Sequence, residues 1–256
     1  MAELRIGTSG WNYKHWRERF YPDGLSQKHW LEFYAEHFNT AEVNYSFYKL
    51  PAQSTYEKWL SEAPKDFLFT LKCSRIITHN KRLNNLGDLW VNFLTNAITL
   101  GDRLGPILLQ LPESFERDVD RLRSFVAHAR HAVKHDLDIR LAVEFRNPSW
   151  FVPEVYDTLE KHNVALVAAS SSQFPRVDRL TADFAYFRYH GPGALFGSNY
   201  NHKQLQEEAD KMAHLLQKGV DVFGYFNNDG HAYAVNNALA LQEMLNKKET
   251  HRRRAG

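Results

Sequence analysis

Glu42, Lys72, Gln110, Glu144, Arg146, Arg188, His190, Asn227 and Asp229 are scattered over the chain, yet each ends or directly follows a short apolar run. Polar groups at such points cost free energy unless a partner or a ligand hydrogen-bonds them. As a set they have the types for acid–base chemistry on an anion. Arg146, Arg188 and Lys72 suit a phosphate or carboxylate, the guanidiniums through paired N–H groups and the ammonium as a point charge. Glu42 and Glu144 are cast as general acid and base, because nearby charges drive such carboxyls to different pKa values. His190 is cast as a proton shuttle, and Lys72 and Asp229 complete the reacting set. Ser9, Asn44, His79, Gln110, Asn227 and Asn228 are expected to hydrogen-bond the substrate. Trp11, Tyr48 and Trp150, with Phe47, are expected to wall the site for a ring.

Other chemistries leave fainter marks. Glu42, Glu144, His79, His190 and Asp229 are the residue types that bind Mn, Zn or Mg. No H-E-x-x-H, paired Cys or close His–x–His spacing accompanies them, and Arg146, Arg188 and Lys72 would repel a divalent ion, so the cofactor stays open. "GTSGW" lacks the G-x-S-x-G elbow, which argues against a serine nucleophile and for a hydrogen-bonding role of Thr8 or Ser9. Gly191, Gly193 and Gly197 in "HGPGALFGSNY" either bring backbone N–H groups to an anion or serve turns. "KCSRIITHNKRLNN" collects Lys72, Arg75, His79, Lys81 and Arg82, a loop able to meet a nucleic-acid backbone. Cys73, the lone cysteine, reads as a core thiol and excludes an intramolecular disulfide.

The elements that must position these groups follow from periodicity. Strands are predicted at Leu4–Ser9, Thr40–Asn44, Phe67–Lys72, Ile107–Gln110, Leu141–Arg146, Val164–Ala169, Phe184–His190 and Val220–Asn227. Helical stripes lie between most of them: Leu31 to Phe38, Leu86 to Leu100, Val119 to Val133, Leu205 to Leu216, and a last helix from about Ala232 to Leu245. "SSSQFPRVDRLTAD", residues 170–183, has no helical period and is expected to be a loop or degenerate helix. Strands alternating with helices over this length predict an α/β fold, a (β/α)8 TIM-type barrel. An open doubly wound sheet would show a glycine-rich phosphate turn after the first strand, and none is present. Alternation puts Glu42 and Asn44 on one strand face, likewise Thr70 and Lys72, Leu108 and Gln110, Ala142, Glu144 and Arg146, and Tyr186, Arg188 and His190. In a barrel these strand ends meet at one mouth, where this fold carries its active sites. In "YFNNDGHA", one of Asn228 and Asp229 is expected to cap the last helix and the other to face the ligand, with Gly230 allowing a tight turn.

Composition bounds the partners. Hydrophobic residues make 43% of the chain and charged ones 24%, as in ordinary globular proteins. The net charge is +2, but "LNKKETHRRRAG" at the end carries five Lys or Arg against one Glu, which leaves the body at −2. That weakens a nucleic-acid partner without excluding a local patch, and the small anionic ligand expected here rests on Arg146, Arg188 and Lys72 instead. No run approaches the length of a membrane span, and the N-terminus has no apolar leader, so no membrane partner and a cytoplasmic location are expected. One barrel domain, residues 1–246, is expected to be followed by a frayed basic tail, 247–256.

Six stretches, "IGTSGW", "FNTAEVNYSFYKLP", "LGPILLQLP", "VEFRNPSW", "YFRYHG" and "YFNND" followed by "NNA", together resemble the family known as domain of unknown function 72. They span Ile6 to about Ala240. The resemblance implies a TIM-type barrel and no established reaction. It carries Ser9, Trp11, Glu42, Asn44, Phe47, Tyr48, Lys72, His79, Gln110, Glu144, Arg146, Trp150, Arg188, His190, Asn227, Asn228 and Asp229 as the family's recurrent positions. Lys49 stands where an Arg is commoner, and Ala232 where a Gly is expected. The functional expectation is an enzyme of hydrolase, lyase or isomerase type working on an anionic small molecule by glutamate acid–base chemistry. A nucleic-acid-binding or nuclease-like protein and a non-catalytic ligand sensor use the same mouth. Salt-dependent DNA binding marks the first alternative, and binding without turnover the second.

Overall fold

Eight strands, all parallel to their hydrogen-bonded neighbours, run in the order β1-β8-β7-β6-β5-β4-β3-β2. They are β1 (Leu4–Thr8), β2 (Thr40–Val43), β3 (Leu68–Lys72), β4 (Leu104–Gln110), β5 (Leu141–Glu144), β6 (Val164–Ser170), β7 (Phe184–Tyr189) and β8 (Asp221–Phe226). This computed structural model describes residues 2–134 and 136–255. The eight predicted strands are found with ends shifted by a few residues, and the arrangement is the predicted α/β barrel.

The ring is nearly closed, and its seam lies between β1 and β2. Gly7 faces the Thr40 carbonyl there so closely that a Cβ would sit 2.3 Å from its oxygen. In place of a ladder, the Tyr34 hydroxyl joins the strands: it accepts from the Thr8 N–H at 3.0 Å and donates to the Thr40 carbonyl at 3.1 Å. A side chain thus satisfies backbone groups that would otherwise be orphaned in the core.

The helices are α1 (Trp30–Ala35), α2 (Tyr45–Tyr48), α3 (Gln53–Glu62), α4 (Leu89–Ala97), α5 (Val119–Ala129), α6 (Pro153–Lys161), α7 (His202–Gln217) and α8 (Tyr233–Ala255). Their apolar stripes pack on the outward faces of the strands in one large core. Caps set several starts. The Asp118 carboxylate accepts from the Arg121 N–H, and Asn201 and Gln204 form a capping box. Two crossover helices were not evident from periodicity: α3 buries only Tyr56 and Trp59, and α6 starts at Pro153 with a short stripe. The stripe from Leu86 to Leu100 is broken into α4 and a 3-10 segment that contains Gly101 at φ 56°. Residues 171–183 form no helix, as their lack of period implied. The last helix, predicted to stop near Leu245, continues to Ala255. Gly256 and the side chains from residue 251 onward, which belong to the expected frayed tail, lie outside the described residues.

Inside the ring a second apolar cluster fills the lumen, built from Leu108, Ala142, Ala165, Val167, Ala169, Phe184, Tyr186, Phe223 and Tyr225. The Tyr225 hydroxyl joins Thr40 and Thr70 at 2.8 and 2.7 Å. Register then lifts the polar residues above this plug: Glu42 lies opposite Thr70, Lys72 opposite Leu108, and Gln110 opposite Glu144.

Candidate functional site at the barrel mouth

Directly above the apolar plug lies a charged layer sealed from solvent. Glu42, Glu144 and Arg188 are each 0% exposed. Arg188 grips Glu42 with both arms of its fork, Nε to Oε2 at 2.9 Å and Nη2 to Oε1 at 2.7 Å. Its Nη1 donates to Glu144 Oε2. The hydroxyls of Ser9 and Tyr186 each donate to Glu42 at 2.7 Å, and Arg146 Nε donates to Glu144 Oε1 at 3.0 Å. Burial alone would raise both carboxyls. The Arg188 charge and the converging hydrogen bonds outweigh it, so Glu42 is lowered and Glu144 lowered well below the ordinary range. Two carboxylates are matched by two guanidiniums in this layer.

These contacts revise the roles expected for four residues. Glu42 and Glu144 are locked carboxylates with no free oxygen facing solvent, which does not fit a proton-exchanging pair. Arg188 spends three of its five N–H donors on them and is 0% exposed, so it does not face a ligand in the cleft. His190 is also sealed, and burial lowers its pKa. Its Nε2 lies 3.4 Å from Glu144 Oε2 and its Nδ1 3.2 Å from Asn227 Nδ2. Arg188 Nη1 also lies 3.3 Å from its Nε2, so His190 is engaged at both ring nitrogens within the sealed layer.

Over this layer opens a cleft of about 950 Å³. Its lining includes Trp11, Asn44, Tyr48, Lys72, His79, Gln110, Arg146, Asn227 and Asp229, all expected from the sequence to share one mouth. Lys72 is the pivotal one. Only 9% exposed, it rests its ammonium 4.0 Å from the centre of the Phe47 ring. Among the described residues it has no ion-pair or hydrogen-bond partner, since the buried carboxylates are already matched. Burial, and next the charge of Arg188, lower its pKa to about 7. Its neighbour His79 stands on a π-helical turn, Ile76–Asn80, a local widening often found at functional sites. The His79 ring packs edge-on to Phe47 at 5.0 Å and lies between Thr78 Oγ1 at 2.9 Å and Gln110 Nε2 at 3.3 Å. Burial, then the Lys72 charge, push its pKa down to about 4.

Arg146 is held in place by Glu144 and by the Phe174 face, 4.2 Å from its guanidinium carbon, and its terminal N–H groups remain for the cleft. Asn44 donates to the Ser9 carbonyl at 3.0 Å, while its Oδ1 is a buried acceptor without a partner. Trp11 meets Trp59 edge-on, and Tyr48, 70% exposed, stands at the rim. Asp229 lies 3.6 Å from His15, and burial raises its pKa.

Four expectations fail on placement. Ser9 is buried with its hydroxyl on Glu42 and does not line the cleft. Trp150 is wholly buried, stacked on Phe145 at 4.6 Å with its indole N–H on the Phe115 carbonyl, and belongs to the core behind the mouth. Asn228 is turned away from the cleft and donates to the Ser198 carbonyl and to Asn237 Oδ1, each at 2.9 Å. It ties the β7–α7 loop to α8 and caps no helix, nor does the Asp229 side chain. Gly230 is not the left-handed residue of this turn; His231 at φ 57° and Ala232 at φ 61° are. Gly230 serves close approach instead, since a Cβ there would meet the Phe196–Gly197 backbone at 3.3 Å. In the glycine-rich loop the N–H groups of Gly191, Gly193 and Gly197 are taken by Tyr200, Ser198 and Ala194, leaving none for an anion. Phe196 of that loop does line the cleft, as do Tyr13 and Trp59. None of the three ends a strand, which is why strand-end reasoning passes over them. Tyr186 lies on the same strand face as Arg188, so its place beside Glu42 was within reach of the alternation. Cys73 is a buried thiol whose pKa burial pushes up.

No group of three or more His, Cys, Asp or Glu side chains among the described residues is disposed to hold a metal ion. Arg188 fills the place between Glu42 and Glu144 that a cation would take. No described helix is long and apolar enough to cross a membrane.

A parallel eight-stranded barrel with a cationic cleft over its C-terminal strand ends defines the class: a TIM-type barrel protein with a ligand-sized mouth. The particular family follows from comparison. The model of the protein family of unknown function DUF72 matches residues 5–255, and the chain belongs to that family. It is 28% identical over 275 residues to the UPF0759 protein YunF of Bacillus subtilis, covering 94% of each. The UPF0759 protein YecE of Escherichia coli K12 is 31% identical over 149 residues, 58% of this chain and 50% of that protein. A crystal structure of a DUF72 family protein from Thermotoga maritima superposes with a TM-score of 0.83 at 27% identity, covering 95% of this chain and 99% of that one. A DUF72 family protein from Enterococcus faecalis shares the fold, with a TM-score of 0.80 at 21% identity and 95% of each chain covered.

Proposed function

We propose that the mouth is the active site of an enzyme acting on a small polar molecule that carries a phosphate or carboxylate. The observation that carries this reading is Lys72: a nearly buried ammonium without an anion, at the floor of a concave cleft. A cation in that position leaves an electrostatic place that an anionic ligand fills. Arg146 offers its free N–H groups beside it and Arg75 adds charge at the lining. Trp11 and Tyr48 supply apolar walls. With a pKa of about 7, Lys72 exchanges protons at neutral pH. The layer of Glu42, Arg188 and Glu144 then acts as a fixed electrostatic base for the reacting group, in place of the glutamate acid–base pair expected from the strand ends.

The test is a thermal-shift screen with phosphate- and carboxylate-bearing metabolites, repeated on Arg146→Ala. Compounds that use this site raise the wild-type melting temperature, and the shift shrinks in the variant. Equal shifts in both proteins refute the assignment of the anion to this cleft. Turnover of a hit that disappears in Lys72→Met while binding persists separates an enzyme from a ligand sensor.

A further inference from the structure

We infer that Lys72 acts as a nucleophilic amine and condenses with the carbonyl group of an anionic aldehyde or ketone to form an imine. This rests on the reading of the mouth given above and names the substrate class for it. The geometry provides what that chemistry needs. The side chain rises from the C-terminal end of β3 into the cleft, with its terminal nitrogen over the Phe47 face and without a carboxylate to hold the proton on it. A lysine used only to bind anions keeps its charge in water. This one is desolvated and feels the charge of Arg188, which together outweigh the opposing pull of Glu42 and Glu144, and both conditions free an amine for attack. With its pKa brought to about 7, roughly half of it is uncharged at neutral pH, about a thousandfold more than for a lysine in water.

The step balances without any further reagent. The Nζ lone pair attacks the carbonyl carbon, the C–N bond forms, and the π pair moves to oxygen, which takes up a proton as the nitrogen gives one up. Protonation of the resulting hydroxyl expels one water, and the nitrogen lone pair closes the C=N bond. His79, edge-on to the same Phe47 ring and neutral at pH 7, has both ring nitrogens engaged by Thr78 and Gln110, so the protons of this step exchange with solvent in the open mouth. Arg146 receives the carboxylate or phosphate of the same molecule. The resulting iminium is an electron sink, so bond cleavage or proton abstraction next to the former carbonyl is the reaction such an adduct supports.

The experiment uses reductive trapping on the full chain. Formaldehyde with cyanoborohydride, small enough to enter any cleft, is applied briefly at pH 7 and the modified lysines are mapped by mass spectrometry. Lys72 is expected to label at least about tenfold faster than Lys28 and Lys58, which line the same cleft, with its rate levelling off above pH 8. Labelling no faster than those two, or a rate still climbing at pH 10, overturns the inference. Glyoxylate and glyceraldehyde 3-phosphate with borohydride then test the substrate class, one carrying a carboxylate and the other a phosphate. An adduct at Lys72 whose rate of formation falls further in Arg146→Ala than the rate of formaldehyde labelling does supports it, because loss of the guanidinium slows both through the amine's pKa but only the anionic carbonyl through binding. Absence of an adduct from both anionic carbonyls overturns it, even where formaldehyde is selective. If Lys72 proves unreactive while inorganic phosphate still raises the melting temperature, the imine is refuted and the anion site stands; without that shift, both fall.

Discussion

Replacing Arg188 by Met tests the charged layer most directly. The substitution keeps an apolar stem of similar reach and removes three N–H donations, two to Glu42 and one to Glu144. Glu144 retains Arg146, but Glu42 loses the one ion-pair partner it has among the described residues and keeps the Ser9 and Tyr186 hydroxyls. Breaking a buried ion pair from one side costs about 3–5 kcal/mol, since the remaining charge stays desolvated. For a chain of this size that is a fall in melting temperature of about 6–20 °C. The pH dependence changes sign. In the wild type both carboxyls are lowered, so their stabilisation is present above the ordinary glutamate value and is lost as pH falls through the folded values. In the variant, burial without Arg188 raises Glu42, and a raised carboxyl makes the fold lose stability as pH climbs from about 4.5 towards 7. Calorimetry or urea unfolding at pH 5 and pH 7.5 reads both effects. Glu42→Gln added to Arg188→Met is expected to recover at least about 2 kcal/mol at pH 7.5, because a neutral amide needs no counter-ion. A single variant within about 1 kcal/mol of wild type at pH 7.5, or one whose stability relative to wild type does not fall between pH 5 and pH 7.5, would refute this account of the layer.

Lys72→Met is expected to stabilise the fold at pH 7. The folded-state pKa of Lys72 lies below that of the unfolded chain, so the penalty for charging it is full below pH 7 and relaxes as pH rises. Urea unfolding should show the variant's advantage shrinking by about 2–3 kcal/mol between pH 7 and pH 9; a constant advantage contradicts a depressed Lys72. Trp150→Ala should cost about 3–5 kcal/mol by leaving a cavity behind Phe145, yet leave anion-induced thermal shifts in place. Ala232→Gly should stabilise by about 1 kcal/mol, because Ala232 holds a left-handed φ of 61° that glycine adopts freely; a lower melting temperature would show that the methyl group packs more usefully than the strain costs.

The order of elements was legible because each carries a local signature. Aliphatic runs with period two gave eight strands, and the stripe from Leu205 to Leu216 gave α7. The seam was not legible: nothing local in Tyr34 tells that its hydroxyl replaces a ladder between β1 and β2. The membership of the mouth was partly legible. Lys72, Gln110, Arg146 and Asn227 meet there because strand ends of a parallel barrel converge, and alternation sets which residues point inward. Trp150 and Asn228 were misplaced, since the chain has left its strand by then and no period governs where the side chain turns.

The chain order alone established a parallel barrel and the polar ends of its strands, because periodicity and strand polarity are properties of neighbouring residues. Which charges face each other is a property of distances across the ring. Only the folded structure could put Arg188 between Glu42 and Glu144, bury all three, and leave the nearly buried Lys72 without an ion-pair partner among the described residues.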